Sequence, residues 1–191
     1  MSIDFTLHTP ETAPEASKGK LDEAKKAFGF VPNLHAELAE APAALAGYSA
    51  IWDSFGTSSL SPVEQQLVYL TANYENECRY CMAGHSVLAK MVGMPPEVIE
   101  ALREGRPVPD AKLEALRRFT SAMVVKRGWV EDSDIAAFQA AGYGRQQILE
   151  VILGIAVKTI SNYTNHVAAT PLDAFMADTV WEPPAKRRAA A

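Results

Sequence analysis

The stretch LSPVEQQLVYLTANYENECRYCMAGHS, residues 60–86, decides the fold, because it writes two consecutive helices and a cluster of reactive side chains into one short run. Ser61 can cap a helix, Pro62 suits its first turn, and Glu64, three residues after the cap, can close a capping box. These signals predict a helix from 62 to about 75. Asn76 interrupts the pattern and can itself cap a second helix carrying Glu77 to Val92, which Gly93 ends ahead of Pro95 and Pro96. Cys78, Cys81 and His85 then fall at the start of that second helix.

Working outward, the same reading extends in both directions. Upstream, Pro42 opens a helix to about Phe55 with Leu45, Tyr48, Ile51 and Trp52 as its apolar stripe, preceded by shorter helical segments at Leu21–Phe28 and Leu34–Leu38. Downstream, Pro96–Glu104, Asp110–Lys126, Glu131–Ala141 and Arg145 to about Ala168 read as helices, divided by Gly105, Gly128 and Gly142 to Gly144. In the last of these, ILEVILGIAVKTISNYTNHVA is apolar on almost all sides in its first half, as expected of a helix buried in a core or between subunits. Asn162, Asn165 and His166 place polarity near its end, facing either the thiol pocket or an interface.

Strand patterning is nearly absent, so the fold class is all-α. A single-domain helical bundle is expected over residues 17–178. The Pro-, Thr-, Ser- and Glu-containing residues 1–16 read as an extended arm, and the proline-interrupted residues 179–191 as a flexible tail.

Composition narrows the function classes. The 191 residues are 48% hydrophobic and 21% charged, enough for a real core. A net charge of −5 arises from acidic and basic residues mixed along the chain, which offers no stripe for phosphates or anionic lipid. Nucleic acid and membranes are therefore not the expected partners. The first residues lack a basic leader followed by an apolar stretch, so a cytoplasmic location is expected. Two cysteines three residues apart form no secreted disulfide framework, and in a reducing compartment such a pair does chemistry or binds metal.

On a helix, Cys81 and His85 lie at about 300° and 340° relative to Cys78, so all three share one face. Cys81 and His85 are one turn apart, close enough for the imidazole to take the thiol proton or to support a thiolate with its own positive charge. Two intervening residues also suit a reversible disulfide. Attack on a peroxide would leave a sulfenic acid on Cys81 for Cys78 to condense with, and exchange with an external disulfide is equally open. Structural zinc would need a fourth ligand, Met82 excludes a haem-attachment motif, and a thioredoxin-like fold lacks its strands. Neither metal nor cofactor is expected. Tyr80 and Met82 either line the pocket or pack against neighbours, with packing favoured.

The quoted segment resembles the core motif of the carboxymuconolactone decarboxylase superfamily, in its alkyl hydroperoxidase D-like branch, and the helical pattern is compatible with it over roughly residues 20–178. The resemblance implies an all-α core assembling as dimers, trimers or hexamers. It also implies a thiol-dependent oxidoreductase that reduces hydroperoxides or disulfides and is reset by a dithiol reductant. Within it, Cys81 would form the sulfenic acid, Cys78 would resolve it, and His85 would relay protons. The chain departs from the family's peroxidases at Gln66, where they carry a glutamate. An amide is no general base, so either His85 acts alone or Glu75, Glu77 or His166 is brought in. Two alternatives belong to other classes: a lactone decarboxylase, which would not need the thiol pair, and a non-catalytic redox-sensing oligomer.

Overall fold

The computed structural model describes residues 4–184, and the described residues fold into helices with no strand. In chain order these are α1 (Glu15–Phe28), α2 (Asn33–Leu38), α3 (Pro42–Gly56), α4 (Pro62–Glu75), α5 (Arg79–Met91), α6 (Pro96–Glu104), α7 (Ala111–Val125), α8 (Asp132–Ala140), α9 (Arg145–Ala168) and a 3-10 turn, Ala174–Thr179. No described helix is long and apolar enough to cross a membrane.

The centre of the bundle is α4. Every residue from Gln66 to Asn73 is buried, because α5, α6, α7 and α9 pack around it. Its start is built as the sequence predicts: the Ser61 hydroxyl accepts from the Glu64 amide at 3.3 Å, and the Glu64 carboxylate accepts from the Ser61 amide at 2.8 Å. Such a box satisfies two backbone donors that a helix start leaves unpaired. Ser61→Ala is expected to lower stability by about 1 kcal/mol, read as a lower urea midpoint with an unchanged m-value.

The junction between α4 and α5 corrects the sequence reading. Asn76 does not cap α5; it ends α4. Glu77 takes the left-handed conformation at φ 55°, and Cys78 donates its amide to Asn73 at 3.0 Å while Glu77 donates to Tyr74 at 3.1 Å. This pair of bonds is a Schellman ending with glutamate where glycine is usual. Cys78 is therefore the extended residue before α5, and Cys81 sits in the first turn of that helix.

The two ends of the chain are more engaged than composition implies. Residues 15 and 16 already belong to α1, and His8 in the arm pairs with Glu40 at 2.7 Å. At the other end, Thr179 donates to the Ala83 carbonyl at 2.9 Å and the Trp181 indole to the Arg103 carbonyl at 2.8 Å, so these residues pack against α5 and α6 instead of trailing free. The remainder of the expected tail, 185–191, lies outside the described residues.

Within a single chain α9 is not enclosed on all sides. Only one face is buried, through Val151, Gly154, Val157, Lys158, Ser161, Asn162 and Asn165, while Leu149, Ile152, Tyr163 and Val167 are exposed.

Candidate functional site

Three helices converge on the cysteine pair. α5 supplies Cys81 and His85, α4 supplies Gln66 and Tyr69, and α9 supplies Lys158 and Asn165. An asparagine ladder holds α9 to the α4–α5 junction: Asn76 donates to Asn162 at 2.9 Å, and Asn162 donates to Asn73 at 3.0 Å. One turn further on, the Asn165 amide lies 3.1 Å from the Cys81 sulfur and 3.8 Å from that of Cys78. A single amide group touching both sulfurs means that they converge.

The residue that sets the electrostatics is Lys158, which the sequence reading did not single out. Only 1% of its surface is exposed, yet its ammonium is 3.7 Å from the Cys81 sulfur, 2.7 Å from His85 Nε2 and 5.0 Å from the centre of the Tyr69 ring. An isolated buried ammonium would be costly, so its partners must be read as charge or dipole acceptors. Burial lowers the Lys158 pKa, and the adjacent Cys81 opposes that shift.

Those contacts fix the state of His85. Lysine only donates, so Nε2 must accept; neutral imidazole carries one N–H, which is then on Nδ1 and donates to Gln66 Oε1 at 2.8 Å. Burial, together with the Lys158 charge, pushes the His85 pKa well below its ordinary value. The positive charge expected from His85 is thus corrected: Lys158 carries it, and His85 is a neutral bridge. Gln66, far from being solvated, is buried and completes the chain Gln66–His85–Lys158–Cys81.

The two thiols are driven apart. Burial raises the Cys81 pKa, but the hydrogen bond from Cys78 and the charge of Lys158 outweigh it and bring the value down to about 5. Cys78 is pushed strongly upward, first by that same hydrogen bond to Cys81 and then by burial. One sulfur is a thiolate at neutral pH, and its neighbour is a protonated donor. The position of Cys81 in the first turn of α5, near unpaired amides, works in the same direction.

Cys81, His85 and Lys158 line a cavity of about 360 Å³ whose walls are otherwise mainly aromatic and aliphatic: Phe28, Phe30, Tyr48, Trp52, Phe175 and Met176 among them. Trp52 stacks on Tyr69, which in turn lies 4.6 Å from the His85 ring. Such a wall favours an apolar ligand, with the polar groups confined to the point where chemistry would occur.

The remaining residues named from the sequence distribute as follows. Tyr80 lines this cavity and hydrogen-bonds to Asp173, whereas Met82 is wholly buried core. His166 is exposed and stands on the Cys78 side, not among the groups around Cys81. Glu77 shares that side. Glu75 accepts from Ser121 at 2.7 Å, on the α7 side of α4. None of these carboxylates replaces a glutamate at position 66; the structure answers that amide with a lysine.

The sequence profile of the carboxymuconolactone decarboxylase family matches residues 36–122, the span that holds α4, α5 and the cysteine pair. Over that span the chain is similar to the carboxymuconolactone decarboxylase family. Its fold is that of the alkyl hydroperoxidase D-like branch. It superposes on the alkylhydroperoxidase AhpD core of a peroxidase-related protein from Ralstonia eutropha JMP134 with a TM-score of 0.80 at 18% identity, covering 90% of this chain and 93% of that one. A peroxidase-related protein from Silicibacter sp. TM1040 gives 0.77 at 19% identity over 92% and 93%. The debrominase Bmp8, as a cysteine-to-alanine variant in complex with 2,3,4-tribromopyrrole, gives 0.78 at 14% identity over 94% and 96%. A sequence search of curated proteins finds no significant match.

Proposed function

We propose that this protein is a thiol peroxidase for hydroperoxides that carry an apolar group. The observation that carries the reading is the Cys81 sulfur, paired with a buried lysine in the lining of an aromatic cavity. The Cys81 thiolate attacks the terminal peroxide oxygen. An S–O bond forms, the O–O bond breaks, and the departing alkoxide takes a proton from Lys158. The Cys78 sulfur then attacks the sulfenic sulfur: an S–S bond forms, the S–O bond breaks, and hydroxide leaves as water with the Cys78 proton. The substrate gains two electrons, the thiols lose two, and a dithiol reductant restores them.

The aromatic wall also favours a second reading on the same two-electron chemistry, reductive dehalogenation of an aromatic ring, since a structurally similar protein binds a brominated pyrrole. There the thiolate attacks the halogen, the ring carbon takes a proton, and Cys78 displaces halide to give the same disulfide. Lactone decarboxylation finds no support in a site organised around a thiolate. The exposed apolar residues of α9, with Trp129 nearby in sequence to the end of α7, support a homo-oligomer in which these faces meet.

Stopped-flow mixing of reduced protein with one equivalent of cumene hydroperoxide tests the main reading. One equivalent of alcohol, loss of both thiols and a chain lighter by the mass of two hydrogens are expected. Thiol oxidation no faster than that of free cysteine overturns it, and halide release from a bromopyrrole under the same conditions selects the second reading. Stoichiometric oxidation that no dithiol reverses, with a change of oligomer size, would instead identify a sensor.

A further inference from the structure

The mechanism above uses one side of the sulfur pair. A second cavity lies on the other side, walled by Glu77, Cys78, Arg79, Asn165, His166 and the Ala169–Leu172 segment. Tyr80 borders both cavities. Cys81 belongs to the aromatic cavity alone and Cys78 to this second one alone.

The walls differ in chemistry as well as in place. Here they carry an acidic residue, an arginine and a histidine. Among the described residues, two buried oxygen atoms of the lining residues have no hydrogen-bond partner: Glu77 Oε1 and Asn165 Oδ1. Asn165 is itself buried, with its amide nitrogen already committed to the sulfurs. Unpartnered buried acceptors call for a donor from elsewhere. Glu77 sharpens the point, because its left-handed backbone is one that glycine would adopt without strain. A glutamate at such a position, with a carboxylate oxygen buried and unpaired among the described residues, leaves an acceptor for an incoming donor.

We infer that the second cavity is where the reducing thiol enters, that this thiol opens the disulfide by attacking Cys78, and that Glu77 and Asn165 receive N–H donors from its carrier. This rests on the redox reading above and adds to it a separate port and a direction of attack. The thiolate of the reductant forms a bond to the Cys78 sulfur, the Cys78–Cys81 bond breaks, and the electron pair leaves on Cys81. A second thiol then takes the reductant's sulfur off Cys78 as an external disulfide, and Cys78 recovers its proton. The better leaving group in an exchange is the sulfur that holds negative charge more easily. Lys158 and Asn165 make Cys81 that sulfur, so electrostatics favours attack on Cys78, the one of the two that lines the second cavity. A ligand in the aromatic cavity and the reductant need not exclude one another.

The regiochemistry can be read directly. The protein is oxidised with diamide, so the disulfide forms whether or not hydroperoxide is the natural oxidant, then mixed with glutathione, quenched in acid and alkylated with N-ethylmaleimide. Trypsin cuts after Arg79 and places the two cysteines on different peptides. Glutathione on Cys78 and maleimide on Cys81 are expected; glutathione mainly on Cys81 overturns the direction of attack. Glu77→Gly, which suits the backbone, is expected to slow reduction by glutathione about tenfold relative to reduction by 2-mercaptoethanol, which offers no N–H, as loss of a charge-assisted hydrogen bond implies. Equal slowing with both thiols, or none, overturns the recognition by Glu77.

Discussion

Lys158→Met is expected to raise the titration of Cys81 and reduce its thiolate character at neutral pH while leaving the fold intact. In the native protein the Cys81 thiol titrates at about 5, so its alkylation rate should be flat above pH 6 and fall as the pH drops through that value. The sign follows from the cause: a nearby positive charge favours the deprotonated form, so removing it moves the titration upward, in the direction that burial already pushes and against the Cys78 hydrogen bond that remains. A thiol at the ordinary value of about 8.5 is only a few per cent ionised at pH 7, so iodoacetamide and hydroperoxide should both react more slowly there, by up to about 30-fold. The deficit should shrink as the pH is raised towards 9. Methionine matches the length of the lysine stem and removes a buried charge, so thermal unfolding should show no large loss. An unshifted alkylation profile would mean that Lys158 does not set the state of Cys81.

The same argument bears on Gln66. A carboxylate at that position would hold a proton on His85 and make the imidazole the site's cation; an amide cannot. With glutamine there, His85 stays neutral, and a cation must come from another helix if the thiolate is to be held. Gln66 and Lys158 are thus complementary: the protein has moved the positive charge from the imidazole to an ammonium 2.7 Å away, at the cost of burying a lysine.

That complementarity was only half legible in the sequence. Local signals were read well where the physics is local: Ser61 and Glu64 form their box because a cap needs only its own turn, and Pro96 opens α6 as expected. The α4–α5 junction is not legible in the sequence because its Schellman ending uses Glu77, and without a glycine nothing in composition announces a left-handed residue. Lys158 stands in a run that is apolar on almost all sides, where a single lysine carries no local signal. Its register was nonetheless informative. Val151, Gly154, Lys158, Ser161, Asn162 and Asn165 recur at three- and four-residue spacing, which places the lysine on the inward face. Which helix that face meets is a tertiary fact, and so is the exclusion of His166 from the thiolate's neighbourhood.

Gly154→Val is the substitution expected to damage the protein most as a structure, and it does so through the placement of α9. A Cβ at this position would stand 2.8 Å from the Phe55 ring and 2.9 Å from a Val68 methyl group, both in the closed core. Neither neighbour can yield cheaply, since Phe55 and Val68 are themselves wholly enclosed. Glycine is a poor helix former, so valine at this site gains slightly in propensity, but the overpacking dominates and a net loss of about 2–3 kcal/mol is expected. For a chain of this size that corresponds to a melting point lower by roughly 5–10 °C. Lys158 lies one turn further along α9, so a helix pushed away from α4 also carries the ammonium away from the sulfur. The variant should therefore show a raised Cys81 titration as well as a lower melting point. Gly84→Ala is the control, because there the added carbon meets only the terminal methyl of Met176, 2.9 Å away at the end of a flexible side chain. That variant should melt within about 2 °C of the native protein. Equal losses in both variants would show that glycine content, rather than the fit of α9 against α3 and α4, controls the stability of this bundle.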